Sequence, residues 1–218
     1  KHAATEALWE TEAPAALSLF AIPDQAEGRN LVDLRIPHAL SLLTDHSWTS
    51  EVKGLNNLQV EIAAQLEEDY GGRFPTDVDF RPPVAPVYWS FRVMVGAGFA
   101  MIGLGLLGAW FLRKKKLHEV KWFHRLALLA LPLPFIANIT GWVVTEIGRQ
   151  PWSVYKVLLV RDSVSPVVST GTVPISLIGF TVLYGVLAVV DLYLMAKYAR
   201  AGAGEESTPA EVGAGLAY

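Results

Sequence analysis

Three stretches of this 218-residue chain, Pro86–Leu112, Trp122–Thr145 and Pro174–Ala196, are apolar over at least the ~20 residues an α-helix needs to cross a ~30 Å hydrocarbon layer. No other feature constrains the fold as strongly. In hydrocarbon every backbone N–H and C=O must be satisfied inside its own element, so stretches of this kind are helices. The hydrophobic fraction of 52% and mean hydropathy of +0.33 lie outside the range of ordinary soluble domains. The expected class is an all-α membrane protein: three transmembrane helices preceded by an extracytoplasmic, partly helical region.

Charge divides the chain in the same way. Residues 1–85 carry 6 Lys and Arg against 14 Asp and Glu, whereas residues 86–218 carry 12 against 7. An acidic head on a basic membrane portion argues against nucleic acid as a partner. Arg113, Lys114, Lys115, Lys116, Lys121 and Arg125 cluster between the first two spans, and Lys197 and Arg200 follow the third. By the positive-inside rule these sit in the cytoplasm and residues 1–85 face outward. Three regions follow: the head 1–85, a three-helix membrane portion 86–200, and a Gly-, Ala- and Glu-rich cytoplasmic tail 201–218 expected to be disordered. The chain has no cysteine, which excludes disulfides, thiolate zinc sites and Cys-ligated iron–sulfur clusters. It starts at Lys1 with no signal-peptide pattern and reads as part of a longer chain.

In the head, Lys1–Trp9 is Ala-rich and helical in propensity, and Leu55–Tyr70 has helical spacing ended by Gly71-Gly72. Ile22-Pro23-Asp24 reads as a turn, Ile36–Leu43 as a second apolar stretch, and Phe74–Pro86 as an extended proline-rich linker. Gly96, Gly98, Gly103, Gly105 and Gly108 let a neighbouring helix approach the first span. Pro132 and Pro134 kink the second span near its middle.

Arg92 and Met94 lie a short way inside the outer end of the first span, and Glu146 closes the outer end of the second. An ionisable group at such depth is a candidate for function, since leaving it buried and unpaired costs several kcal/mol. A snorkelling or paired Arg92 and Glu146, with Met94 as packing, fits the spacing too. Arg149, Gln150 and Trp152, just beyond Glu146, suit the carboxylates of an amphipathic cofactor or an interfacial anchor. A thioether suits a six-coordinate, electron-transferring haem, and a carboxylate suits a high-spin one. The imidazole partners would come from other helices, because His118 and His124 lie at the opposite face. Glu6, on the head, suits a proton acceptor in a partly apolar interfacial pocket, or belongs with Glu10 to a solvated helix face.

Three strings resemble one family. Lys1-His2-Ala3-Ala4-Thr5-Glu6-Ala7-Leu8-Trp9-Glu10-Thr11 resembles the start of the quinol-binding loop of cytochrome bd-type quinol oxidase subunit I. Phe91-Arg92-Val93-Met94 resembles that family's low-spin haem b segment. Gly141-Trp142-Val143-Val144-Thr145-Glu146-Ile147-Gly148-Arg149-Gln150-Pro151-Trp152 resembles its high-spin haem b segment. The resemblance implies the C-terminal half of such a subunit, and the short stretch between Lys53 and Arg81 implies the short quinol-loop type.

What the resemblance implies is specific. Lys1 and Glu6 match loop residues implicated in quinol oxidation. Met94 matches the axial ligand of low-spin haem b, and Arg92 the arginine beside it. Glu146 matches the carboxylate ligand of high-spin haem b, and Trp142 and Arg149 match residues lining the haem pair. The implied activity is quinol oxidation at the outer face of a bacterial inner membrane, with electrons passing through haem b to an oxygen-reducing haem d. The implied partners are the N-terminal half of subunit I, subunit II, a small accessory subunit, lipid and quinol. The competing expectation is a membrane scaffold or assembly subunit without haem.

Overall fold

The computed structural model describes residues 1–74, 78–165, 167–169 and 171–201. Of the tail 201–218, only Ala201 falls among them, and Pro75 of the expected linker falls outside. The chain divides into two units, Lys1–Val164 and a second beginning at Ser165.

In the first unit the order is α1 (His2–Thr5), β1 (Leu17–Asp24), β2 (Arg29–Ile36), α2 (Ala39–Asp45), α3 (Leu55–Tyr70), α4 (Val84–Arg113), α5 (Lys121–Leu129), α6 (Leu133–Ile147), β3 (Trp152–Val154), β4 (Leu158–Leu159) and a 3-10 turn at Val160–Asp162. The second unit contains α7 (Thr172–Ala201), the third stretch long and apolar enough to cross a membrane.

The first expected span is α4, which begins two residues early because Pro82-Pro83 end the preceding segment. Pro86 sits in its first turn, where the missing N–H would have no helical partner anyway. Its 30 residues rise about 45 Å, some 15 Å more than the hydrocarbon layer. Counting back about 20 residues from Arg113 reaches Val93. About ten residues of α4 are therefore more than one crossing requires.

The second span is α5 plus α6, broken at Ala130–Pro132 where the prolines interrupt the helical ladder. It runs antiparallel to α4: Phe123 lies against Gly108, and Gly141 lies against Met94. The glycine stripe is only partly used. A Cβ at Gly96, Gly98, Gly103 or Gly105 would meet nothing within 4 Å, whereas one at Gly108 would lie 3.2 Å from the Phe123 ring.

The head is less helical than its sequence suggests. Only His2–Thr5 of the first nine residues is helix, and Leu17–Ile36 forms an antiparallel hairpin pairing Phe20 with Leu34 and Ile22 with Val32. Asp24 Oδ1 accepts the N–H groups of Ala26 and Glu27 in the turn, and Gly28 there has φ +62°. The main core joins head to membrane helix, with Ala3, Ala4, Ala7 and Leu8 against Val84, Val87 and Tyr88 of α4. Alanines at that seam let the backbones approach closely. The chain at Trp9–Glu10 also crosses α3 tightly. The Leu55 and Asn56 N–H groups donate to the carbonyls of Leu8 and Trp9, each at 2.9 Å, and a Cβ on Gly54 would lie 2.3 Å from the Glu10 carbonyl carbon.

Candidate functional site

The site is built on the second and third turns of α4. Tyr88 and Arg92, four residues apart, share a helix face. Tyr88 is fully buried, and the Arg92 guanidinium lies 4.1 Å from the centre of its ring. Arg92 Nη1 donates to the Thr5 carbonyl at 2.6 Å, and Nη2 donates to Glu6 Oε2 at 2.8 Å and to the Ser18 carbonyl. The side chains of Arg92 and Glu6 are 18% and 10% exposed, so this ion pair is largely out of water. Two head segments converge on one cation: Thr5-Glu6 at the end of α1 and Ser18 at the start of β1.

A polar chain extends outward from there. Ser18 Oγ donates to Asp33 Oδ1 at 2.8 Å and is 3.1 Å from the Tyr88 hydroxyl. Asp33 Oδ2 accepts from Asn30 at 2.7 Å and also from Arg35. With its partners saturated, this network fixes the height of β1 against α4. Burial raises the Glu6 carboxyl above the ordinary carboxylate range, although Arg92 pulls the other way by charge and hydrogen bond.

Below the ion pair, Lys1, Glu6, Phe91, Met94 and Gly141 line a cavity of about 460 Å³. A Cβ on Gly141 would stand 3.0 Å from the Met94 sulfur, so the absence of a side chain there leaves room for the thioether. Lys1 packs its aliphatic chain against Gly148 and also lines a second cavity of about 350 Å³, together with Phe80, Arg81, Arg149 and Trp152.

The structure thus gathers Lys1, Glu6 and Met94 around one cavity, with Arg92 paired to Glu6 beside it. Trp142, Glu146 and Arg149 stand elsewhere. Glu146 pairs with Arg149 one turn on, and Trp142, one turn back, is 66% exposed. Glu146 stands five residues beyond Gly141, which is about 140° around α6 and about 7.5 Å along it. The thioether and the carboxylate therefore address different sides of α6. Trp152 is not an interfacial anchor: it is buried with Leu66, Phe80 and Leu159.

Among the described residues no three His, Cys, Asp or Glu side chains converge as a metal-holding cluster. Met94 offers a thioether on its cavity wall and Glu146 a carboxylate shared with Arg149, one donor group each toward a metal whose other ligands come from elsewhere. Tyr88, Ser18 and Asp33 join the site only in the folded chain. The Tyr88–Arg92 spacing was a readable signal, while Ser18 and Asp33 meet only through strand pairing.

The family model described as cytochrome bd terminal oxidase subunit I matches residues 1–203. Cytochrome bd ubiquinol oxidase subunit 1 of Bacillus subtilis (strain 168) is 40% identical over 204 residues, covering 93% of this chain and 42% of the relative. Cytochrome bd-II ubiquinol oxidase subunit 1 of Escherichia coli (strain K12) is 33% identical over 250 aligned positions, covering 93% and 48%. The longer alignment for the same share of this chain means that the E. coli relative carries extra residues in the matched region. A putative cytochrome bd menaquinol oxidase subunit I of B. subtilis is 30% identical, covering 92% and 40%. The chain spans less than half the length of these relatives.

Proposed function

We propose, starting from the fact that the chain belongs to the cytochrome bd terminal oxidase subunit I family, that it carries the quinol-oxidising loop and one axial ligand for each of two b-type haems. One observation carries this reading: the Glu6 carboxylate and the Met94 thioether line the same cavity.

Oxidation of a quinol releases two electrons and two protons, and the protons need acceptors at the ring hydroxyls. Glu6 suits this role because burial has moved its carboxyl upward, toward the working range. Arg92 holds Oε2 at 2.8 Å, whereas Oε1 is 3.5 Å from the guanidinium. The accepting oxygen is therefore Oε1. Arg92 orients the carboxylate and, tied to two carbonyls, cannot swing away with it. Lys1, on the same cavity wall, donates a hydrogen bond to a ring oxygen. Met94 Sδ and Glu146 Oε would each hold one haem b, which supplies one-electron transfer. Haem d and the remaining ligands belong to parts of the oxidase outside this chain. The head then faces the outside of a bacterial membrane and the Arg113–Lys116 cluster the cytoplasm.

The test is the pH dependence of quinol oxidation by the complete oxidase. A rate that rises with pH through a carboxylate pKa above the ordinary range, and a Glu6→Gln variant that is slow and flat over that window, support the assignment. A Glu6→Gln variant with the wild-type profile refutes it.

A further inference from the structure

We propose that the outward face of the β1–β2 hairpin is a membrane-contact surface, seated at the boundary of headgroups and acyl chains in the leaflet nearest the head. This goes beyond the function proposed above: it depends on the membrane class of the chain, and on neither quinol nor haem.

The hairpin is built the wrong way round for water. In its register Ser18 and Ala21 share a face with Arg35 and Asp33. That face turns into the head, where Asp33 meets Ser18, Asn30 and Arg35, and Asn30 reaches the Ala7 carbonyl. The opposite face carries Phe20, Ile22, Val32, Leu34 and Ile36, and its first charges are Asp24 and Arg29 at the turn. An antiparallel pair on a soluble domain alternates in the other sense, apolar side in and polar side out. Two register irregularities strengthen the pattern. Each adds one residue, Leu19 in β1 and Leu31 in β2, and a bulge re-aims the side chain it adds. Both leucines end up in the open, and all seven apolar side chains are between 42% and 60% exposed. Left in water, exposed apolar strands of this kind pair with other chains.

Continuity with α4 says what covers them. The Phe20 ring meets Trp89 edge-on at 5.2 Å. Trp89 and Val93, one turn apart on α4, are 39% and 44% exposed, so the apolar face runs from the hairpin onto a helix long and apolar enough to cross a membrane. The 30 residues of α4 rise about 45 Å, which matches the ~40–45 Å of a bilayer with its headgroups. Crossing it brings the first turns of α4, and the hairpin attached to them, to headgroup depth. Trp is the usual anchor at that level. Water still reaches the free backbone groups of the strand edges there, which hydrocarbon would leave unsatisfied. A protein partner fits less well, since protein interfaces carry about one hydrogen bond per 100–200 Å² and this face offers no polar side chain. Without a lysine or arginine short of the turn, the face takes lipid by apolar burial and needs no anionic headgroup.

The test uses the complete oxidase in phosphatidylcholine nanodiscs doped with a photoactivatable diazirine phosphatidylcholine. Lipid adducts are expected on residues 17–36 as well as on α4. Leu34→Asp, at an exposed position, should lower the hairpin adducts about fivefold, because a charge is expelled from the apolar layer. Leu34→Phe should keep them, and neither variant should change the adducts on α4. Spin labels give a second readout that does not depend on these variants. Labels on Ile22→Cys and Val32→Cys should be relaxed more by dissolved oxygen than by a water-soluble nickel chelate, and a label on Glu68→Cys the reverse. A hairpin without lipid adducts while α4 is labelled, adducts indifferent to Leu34→Asp, or labels at 22 and 32 that favour the chelate would each overturn the proposal. So would labels there that neither reagent reaches, the result expected under another subunit or a second copy.

Discussion

Arg92 shows how one side chain can fix a site. Its guanidinium is buried against the Tyr88 ring and bonded to Glu6, Thr5 and Ser18. Removing one partner of such a pair leaves the other charge uncompensated, at about 3–5 kcal/mol. Glu6→Ala should accordingly destabilise the head more than Glu6→Gln, which keeps an acceptor; limited proteolysis of membranes would rank them. The Glu6 carboxyl is raised in the folded protein, so the folded state holds its proton at pH values where the unfolded chain has lost it. Its contribution to stability is present below the unfolded pKa and is lost as pH rises through the folded one. Glu6→Gln should flatten that decline in a pH series of thermal melts. Tyr88→Phe keeps the cation over the ring and loses only the Ser18 contact. It should cost about 1 kcal/mol and leave haem spectra unchanged, whereas Tyr88→Leu should disturb both the ion pair and the pH profile.

At the scale of elements, two glycines decide how closely segments approach. Gly141→Ala would put a methyl 3.0 Å from the Met94 sulfur, an overpacking worth about 1–3 kcal/mol. The expected outcome is a shifted low-spin haem b band in the complete oxidase; an unmoved band would separate Met94 from the haem. Gly54 is stricter, because a Cβ there meets backbone at Glu10 and backbone cannot rotate away. The elements themselves were unequally legible. The spans and α3 could be read because long apolar runs and helical spacing are strong local signals. Pro132 and Pro134 announced the break between α5 and α6. The hairpin is only half legible: Val32, Leu34 and Ile36 alternate with Asp33 and Arg35, a period of two that marks β2. Pro23 and the irregular register of β1 hid its partner.

For the whole molecule, composition and charge settled the class, while the site was legible only in part. Arg92, Met94 and Glu146 stand out as polar or sulfur groups in apolar runs, and three strings carried the family. What the sequence could not give is which groups meet. Lys1, Glu6 and Met94 share one cavity and Arg92 pairs with Glu6 across some ninety positions of sequence, while Glu146 faces another side of α6 with Trp142. Four glycines of α4 meet nothing within 4 Å, and the relatives are more than twice as long. An open glycine face of this kind suits another helix, in the proposed function one from the rest of a subunit I. Expressed without that remainder, the chain should give no quinol-dependent oxygen uptake in membranes. The most direct measurement is the dithionite-reduced minus air-oxidised spectrum of membranes carrying the complete oxidase with Met94→Leu or Glu146→Ala. The account predicts loss of the low-spin haem b band in the first and a changed high-spin haem b signal in the second. Spectra identical to wild type in both variants would contradict it.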